Sequence, residues 1–361
     1  MNMSNALPSA IATPEPDAKP AEVKRWFEAS VDVAVPAYDG TLNTARKAAE
    51  AFGRKAKSAN TRRAYRAGVR AFCAWCERQG CQALPAAPED VAAFLAEERQ
   101  LGRTVATIDL RRAAIRYLHW LAGVELPTGQ VVVALTVSGI RHDAAEAGER
   151  PAKKLAATVA IIQEIVDAIP SDLTGLRDRA LILVGFVGAL RSAELAKIRA
   201  EHLTARERGL ELFLPLSKGD RQAKGVTVPL PFGKTVLCPV RALRAWQEAA
   251  GITEGPVFRR IWRSEAPKTN PGGPAHFVVG TEAMDGGTVR RIVKRRGEAV
   301  GIDPETLGSH SLKRGAMTTG MENHAQPARL KRLGRHKSYA VMDEYLEFGD
   351  LFESHPLNGL I

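Results

Sequence analysis

Apolar residues recur every three or four positions between residues 55 and 145, which is the period of an amphipathic helix. Val69, Phe72 and Cys76 form such a stripe in the first segment. Four segments of this kind begin near Ser58, after Pro88, near Thr107 and near Gly129. They predict a small all-α unit over residues 55–145.

Beyond residue 156 the pattern mixes helices with short strands. Residues 176–188 are apolar on nearly all sides, so we expect a buried helix there. Alternating apolar residues at 210–216 and 226–230 predict a β-hairpin. Other helices are predicted at 157–169, 238–250 and 288–300, and a loop-rich stretch at 251–287. The predicted fold is mainly α with a small β-hairpin.

Composition marks the boundaries between these regions. Residues 1–54 are rich in Ala and Pro and lack sustained periodicity, so we expect a flexible segment, although short helices near 21–30 and 42–52 are an alternative. Residues 146–156 are charged, rich in Ala and broken by Pro151, which is typical of a linker. A helical unit (55–145) and a second domain (157–350) then flank the linker, and residues 351–361 form a tail.

The charge of the chain indicates a polyanionic partner. Lys and Arg number 51 against 40 Asp and Glu, giving a net charge of +11 over 361 residues. Nucleic acid is the usual partner of so basic a protein, and a merely basic soluble protein is the alternative. Two lobes joined by a linker suit closure around a duplex.

Arginine-rich helix faces are the expected DNA contacts. Arg62, Arg63, Arg66 and Arg70 crowd one helix without interleaved acids, so a phosphate backbone is the favoured neighbour and a solvated face the alternative. The other predicted contacts are Arg111, Arg112 and Arg116, then Arg290, Arg291 and Lys294, and finally Arg314, Arg335 and Lys337.

Several other classes of protein are disfavoured. Cys73 and Cys76 form a CxxC, but no matching Cys/His pair follows at zinc spacing, and we expect reduced thiols. Carboxylate clusters of the two-metal type are absent, so neither a metal nor another cofactor is expected. No secretory signal is present, and no apolar run reaches the ~20 residues that a membrane span needs. The expected location is the bacterial cytosol.

Candidate chemistry is concentrated in residues 309–349. This stretch holds His310, the pair Lys313–Arg314, His336 and Tyr345. Cations offset charge on phosphate oxygens, histidines donate hydrogen bonds or move protons, and tyrosine can act as a nucleophile. The set suits a phosphodiester attacked by a phenol. A free phenol has a pKa near ~10, so the attack needs both proton removal and a cationic pocket.

The order of these residues resembles the catalytic domain of the tyrosine recombinase (phage integrase) family. That family carries Arg, then Lys, then His-x-x-Arg, then His or Trp, and a nucleophilic Tyr nine residues later. Tyr345 follows His336 by nine residues, and the resemblance extends over residues 55–350. It implies a two-domain, C-shaped clamp with a helical core-binding (SAM-like) domain and an α+β catalytic domain.

The resemblance also implies a role for each motif residue. Arg191, in a G-x-L-R-x-x-E context, would bind the scissile phosphate, and Lys218 would protonate the leaving 5′ oxygen. His310 and His336 would donate hydrogen bonds to the phosphate, and Tyr345 would be the nucleophile. The alternatives are an ordinary Arg191–Glu194 ion pair, a solvated turn lysine, a surface histidine and a core tyrosine. Tyr339 is the rival nucleophile.

Lys313 departs from the family pattern, which has arginine three residues after the histidine. Lysine keeps the charge but loses the two-pronged guanidinium. Arg314 is adjacent, but one residue turns a helix by roughly 100°, so it should face elsewhere. Three outcomes stay open: Lys313 substitutes, Arg314 is recruited, or the enzyme is impaired.

The implied activity is site-specific DNA recombination through a 3′-phosphotyrosine and a Holliday junction. The implied assembly is a homo-tetramer on DNA, monomeric or dimeric when free, with the tail exchanged between protomers. A type IB topoisomerase and a catalytically impaired DNA-binding regulator on the same fold are the alternatives, and an RNA-binding protein has only the charge in its favour.

Overall fold

The computed structural model describes residues 13–149, 154–215, 224–264, 276–308 and 310–336. The chain divides into two compact units, Met1–Pro151 and Ala152–Ile361. Both are mainly helical, and only the second contains β-sheet among the described residues, as the sequence predicts. No described helix is both long and apolar enough to cross a membrane.

Over residues 13–149, the first unit contains six α-helices and one 3₁₀ turn. The helices are α1 (Pro20–Ser30), α2 (Leu42–Lys55), α3 (Ala59–Gln79), α4 (Pro88–Gln100), α5 (Val105–Ala122) and α6 (Val131–Glu146), with the turn at Pro127–Gly129 before α6. Ser58 caps α3 by accepting a hydrogen bond from the Thr61 amide at 3.2 Å, and Gly80 ends the helix in the left-handed conformation.

The core of this unit lies between α3, α4 and α5. Phe72 and Phe94 are buried, and their ring centroids lie 5.2 Å apart. A Cβ at Gly68 would lie 2.5 Å from the Cβ of Ala114, so glycine allows α3 and α5 to approach closely. His119 joins α5 to the loop between α3 and α4, because its Nε2 accepts a hydrogen bond from the Ala86 amide at 3.0 Å.

Helix α1 corrects the expectation of a flexible segment over residues 1–54. Val23, Phe27 and Val31 are completely buried in the same core as α3. Their apolar stripe is only one helix long, and the surrounding Ala and Pro residues conceal it in the sequence. Residues 20–31 are therefore part of the folded unit.

The second unit alternates helices with two small sheets. Its helices are α7 (Val159–Asp167), α8 (Leu173–Val187), α9 (Ser192–Leu195), α10 (Pro239–Ala249), α11 (Gly286–Glu298), α12 (Ser311–Glu322) and α13 (Pro327–Gly334). Its strands are β1 (Leu203–Arg206), β2 (Gly209–Leu214), β3 (Val226–Pro231), β4 (Arg259–Ser264) and β5 (His276–Ala283). Helix α8 is buried along most of its length, as its uniform apolarity predicts.

Both sheets are antiparallel. Strands β2 and β3 pair with Leu212 opposite Val228, and β1 adds a third strand at the edge of this sheet. Strands β4 and β5 form a second sheet where the sequence suggests loops. The pairing shifts register between Arg259 and Ile261, and this irregularity interrupts the alternation by which a strand is recognised.

Candidate active site

The first element of the site is the turn between α8 and α9. Ala189 has a φ of +45°, so the backbone reverses sharply before Arg191. Arg191 lies at the start of α9, and its Nη1 donates to Oε1 of Glu194 at 2.8 Å. The Arg191 amide donates to the other carboxylate oxygen at 2.9 Å. Glu194 therefore fixes both the backbone and the guanidinium of Arg191.

The second element is the first turn of α12, which carries Lys313. This lysine is only 2% exposed, and its Nζ donates a hydrogen bond to the carbonyl of Gly334. Helix α12 approaches the segment before α7 so closely that a Cβ at Gly315 would lie 1.8 Å from the Ala157 carbonyl oxygen. Burial, and then the charges of Arg191 and Arg335, lower the pKa of Lys313 to about 7.

The third element is the end of α13, where Arg335 has a left-handed φ of +54°. Its guanidinium is 7% exposed and lies against the turn that precedes Arg191. Nη2 donates to the Ala189 carbonyl at 2.6 Å and to Oε2 of Glu194 at 2.9 Å. This buried position differs from the sequence expectation, which assigns Arg335 to DNA.

His336 follows Arg335 and is half-buried. Burial lowers the pKa of His336 to about 4, and the charge of Lys313 contributes after burial. The imidazole is therefore neutral near pH 7 and can donate a hydrogen bond through one ring nitrogen. A Cβ at Gly334 would lie 2.3 Å from the ring, so glycine makes room for the imidazole.

Three cationic side chains and one carboxylate thus meet at this site. Burial favours the neutral form of Glu194, but the charges of Arg335 and Arg191 outweigh burial and lower its pKa. The carboxylate stays ionised, and it offsets only one of the positive charges around it when Lys313 is protonated. The excess positive charge suits an anion with several oxygens, such as a phosphodiester.

The contacts around Lys313 bear on the choice between Lys313 and Arg314 that the sequence leaves open. Arg314 donates through Nη1 to the Lys154 carbonyl at 3.0 Å, whereas Lys313 contacts Gly334. The geometry thus favours Lys313 over Arg314 as the residue of the site. His310 is exposed at the N-terminal end of α12, three residues before Lys313. Predicted residues Lys218, Lys337 and Tyr345 lie outside the described residues.

The arginines of α3 have acidic partners that the sequence analysis missed. Asp32 pairs with Arg62 at 3.1 Å and with Arg66 at 3.0 Å. Glu28 pairs with Arg70, and Arg63 donates to the Asn60 side chain at 3.0 Å. Helix α1 and the residues after it supply these acids, which do not occur within α3 itself.

Two of the three predicted contacts on α5 have partners within the protein. Arg111 pairs with Glu98 at 3.0 Å, and Arg112 donates to the Thr128 carbonyl at 2.9 Å. Arg116 is exposed. On α11, Arg290 and Arg291 are exposed, and the remaining predicted contact, Lys294, pairs with Glu305 at 2.7 Å.

Asp178 was not singled out from the sequence, yet it anchors α11 to α8. It is fully buried and accepts hydrogen bonds from Arg177 at 2.8 Å, Arg295 at 2.7 Å and Arg296 at 2.8 Å. The Arg-Asp-Arg sequence within the apolar α8 is the only signal of this role. Elsewhere, no group of three or more metal-ligating side chains occurs within the described ranges.

Comparisons with known proteins show which proteins this chain resembles. Residues 49–123 match the phage integrase N-terminal SAM-like domain. An integrase/recombinase xerD homolog of Selenomonas ruminantium is 32% identical over 311 residues, which cover 84% of this chain and 86% of that protein. The recombinase cre of Escherichia phage P1 is 26% identical over 239 residues, covering 64% of this chain and 67% of that protein.

Solved structures show the same fold. XerH site-specific recombinase bound to a palindromic difH substrate superposes with a TM-score of 0.58 and 13% identity, covering 98% of both chains. The Tn1549 transposon integrase in complex with transposon right end DNA gives a TM-score of 0.54 and 14% identity, over 86% of this chain and 98% of that one.

The fold and the cationic site define a DNA strand transferase of the tyrosine type. The chain belongs to the tyrosine recombinase (phage integrase) family and is a site-specific recombinase, which cleaves and rejoins DNA strands.

Proposed function

We propose that the cluster of Arg191, Lys313 and His336 binds the scissile phosphate and that Tyr345 attacks it. The observation that carries the proposal is the convergence of two arginines, a buried lysine and a neutral imidazole around the single carboxylate of Glu194. Such a group stabilises the extra negative charge of a phosphoryl transition state without a metal ion.

In the proposed step, the Tyr345 hydroxyl oxygen bonds to phosphorus while the bond from phosphorus to the 5′ oxygen breaks. The DNA keeps a 3′-phosphotyrosine, and Lys218 gives a proton to the departing 5′ oxygen. His310, at the exposed end of α12, takes the proton that the Tyr345 hydroxyl loses in the attack. Attack by a 5′ hydroxyl of the partner strand reverses the step and rejoins the DNA through a Holliday junction.

Incubation with a nicked half-site, from which the cleaved fragment diffuses away, tests this chemistry. The wild-type chain should form a covalent adduct that survives denaturation and persists in EDTA. Tyr345→Phe should bind the half-site and form no adduct, and Tyr339→Phe is the matched control that should still form it. An adduct on Tyr345→Phe, or none on the wild type, would overturn the assignment.

Exposed cations extend the proposed DNA surface beyond the cluster. Arg116 lies on the first unit and Arg290 and Arg291 on the second, and all three are exposed. Arg63 and Arg70 are further candidates, together with Arg314 near the site. Phosphate contacts of this kind position DNA without reading its sequence.

The proposed assembly is a homo-tetramer on DNA in which residues 351–361 of one protomer dock on the next. The apolar residues Leu351, Phe352, Leu357, Leu360 and Ile361 motivate this exchange. A chain ending at Phe348 should cleave a single half-site at the wild-type rate but fail to join two sites into a stable complex. Unchanged joining of sites by the shortened chain would refute the exchange.

A further inference from the structure

The side chain of Arg335 is turned into the protein, although it lies at the end of the short helix α13. Nη1 donates to the Gly188 carbonyl at 3.1 Å and to the Leu333 carbonyl at 3.0 Å. Nη2 donates to the Ala189 carbonyl at 2.6 Å and to the Glu194 carboxylate at 2.9 Å. One guanidinium therefore joins the α8–α9 turn, helix α9 and the end of α13.

We propose that Arg335 is a positioning residue for strand cleavage: it holds the turn that carries Arg191 against the segment that carries His336. This inference rests on the proposed function. It goes beyond that function because it gives Arg335, which the sequence predicts to contact DNA, a role inside the protein. Arg335 acts through its neighbours and does not bind the phosphate itself.

The hydrogen bonds explain why Arg335 is not a DNA contact. Both of its terminal nitrogens donate to protein oxygens, so binding a phosphate would require it to release Glu194. A buried guanidinium is stable only when it is paired and hydrogen-bonded, and here three backbone carbonyls and a carboxylate pair both terminal nitrogens, while Nε is buried without a partner among the described residues. Lysine, a single point of charge, cannot span these acceptors.

The position of Arg335 also supports Lys313. The Nζ of Lys313 donates to the carbonyl of Gly334, which is the residue before Arg335. Lys313 and the guanidinium of Arg335 thus both hold the backbone at residues 334–335 in place. Through Gly334, Arg335 therefore also supports Lys313, which stands where the family pattern has an arginine.

The left-handed backbone at residue 335 decides which variants are informative. A non-glycine residue with a φ of +54° is strained, so Arg335→Gly removes the side chain without adding strain. Arg335→Lys keeps the charge and loses the planar donor fork. Arg332→Ala is the matched control, because it removes one exposed cation from the same helix.

Single-turnover cleavage of the nicked half-site, measured over a range of DNA concentrations, tests the support. Misplacing reacting groups by an ångström can cost about 100-fold in rate, so Arg335→Gly should lower the maximum rate by about 10- to 100-fold. Its half-site Kd should change little. Arg335→Lys should also cleave slowly, and Arg332→Ala should match the wild type. A weakened Kd with an unchanged maximum rate would show that Arg335 is a DNA contact and would overturn the inference.

A second measurement does not depend on cleavage. In the DNA-free protein, Arg191, Lys313 and Arg335 are the charged groups that act on the His336 imidazole. Arg335→Gly should raise the pKa of His336 in an NMR titration, and Arg335→Lys should leave it closer to the wild-type value. No shift in the glycine variant would show that the guanidinium does not act on His336 and would overturn the inference. If the wild type forms no adduct, the proposed function fails, and the half-site Kd of Arg335→Gly still separates an internal support, which leaves it unchanged, from a DNA contact, which weakens it; if the glycine variant does not fold, the cleavage rate and half-site Kd of Arg335→Lys decide the role.

Discussion

Lys313 shows how one side chain sets the charge of the whole site. An arginine stays protonated at any pH that a protein tolerates, but a buried lysine does not. Burial among cations brings the pKa of Lys313 to about 7, against 10.5 for an unperturbed lysine. The DNA-free site is therefore a mixture of charged and neutral forms near neutral pH, which a site with two arginines would not be.

The first prediction concerns pH. A phosphate favours protonated Lys313, so half-site affinity should fall as the pH rises from about 6 through 8. Because the folded-state pKa lies below that of the unfolded chain, the DNA-free fold binds fewer protons than the unfolded chain between about pH 7 and 10.5. The contribution of this group to stability should therefore rise with pH over the same range. Binding titrations and urea unfolding at matched pH values measure the two trends.

Lys313→Arg is the control for this dependence. Arginine keeps its proton throughout the range, so the affinity of this variant should stay flat where that of the wild type falls. Equal slopes for the two proteins would show that another group produces the titration.

The second prediction separates Lys313 from its neighbour Arg314. Lys313→Ala removes a buried donor at the phosphate site, and the loss of one such donor costs roughly 100- to 1,000-fold in rate. Arg314→Ala should lower the rate far less and mainly weaken DNA binding, because its guanidinium donates to the Lys154 carbonyl, outside the cluster around Glu194, and its charge lies near the site. Single-turnover cleavage at saturating half-site measures the rate separately from the affinity. The reverse pattern would assign the catalytic role to Arg314.

Sequence spacing identified residues that converge at the candidate site but not those that hold them in place. Arg191, Lys313 and His336 stand in an ordered set of motifs, so their convergence was predictable. Arg335 was predicted to contact DNA because it is a cation beside His336. The sequence does not show whether such a side chain points into the protein or toward the solvent. Its partners Gly188 and Glu194 lie far away in the chain, and only the fold brings them to it.

At the scale of elements, periodicity was informative where one helix face is buried and failed where an element is short or irregular. The apolar stripe of α3 and the uniformly apolar α8 were both predicted. Helix α1 was expected only as an alternative to a flexible segment, since its core contacts come from a single short stripe among Ala and Pro residues. Strands β4 and β5 were missed because the register shift breaks their alternation.

The third prediction concerns the anchor between α8 and α11. Asp178→Ala removes the single carboxylate that three arginines share, leaving buried positive charge uncompensated. Breaking a buried pair in this way costs roughly 3–5 kcal/mol, so the urea midpoint of the second unit should fall markedly. Glu305→Ala is the control, because Glu305 lies beyond the end of α11 and pairs with Lys294 of that helix. It removes an exposed partner of Lys294 and should barely change the midpoint. Equal stability of the two variants would mean that α11 does not depend on Asp178.

For the whole molecule, net charge overstates the cationic surface that is available to DNA. The chain carries +11, but many of its arginines donate to carboxylates or backbone carbonyls of their own unit. Asp32 alone engages two arginines of α3, and the hydrogen bond from Arg66 lowers its pKa, so it stays ionised near neutral pH. A chain with this arrangement binds DNA less tightly than its charge suggests until such intramolecular pairs open.

The last prediction follows from that competition. Asp32→Asn should free Arg62 and Arg66 for phosphate, so DNA affinity at low salt should rise. Each additional phosphate contact steepens the fall of log K with log salt by about one, so the slope should increase by about one to two. Asp17→Asn removes an equal charge from an exposed position of the same unit and should leave the slope unchanged. Fluorescence anisotropy with a duplex between about 50 and 200 mM salt spans the range in which such slopes are measured. If both variants raise the affinity equally without changing the slope of log K against log salt, the effect is one of net charge and the α3 arginines make no phosphate contact. If only Asp32→Asn steepens the slope, the α3 arginines belong to the DNA surface.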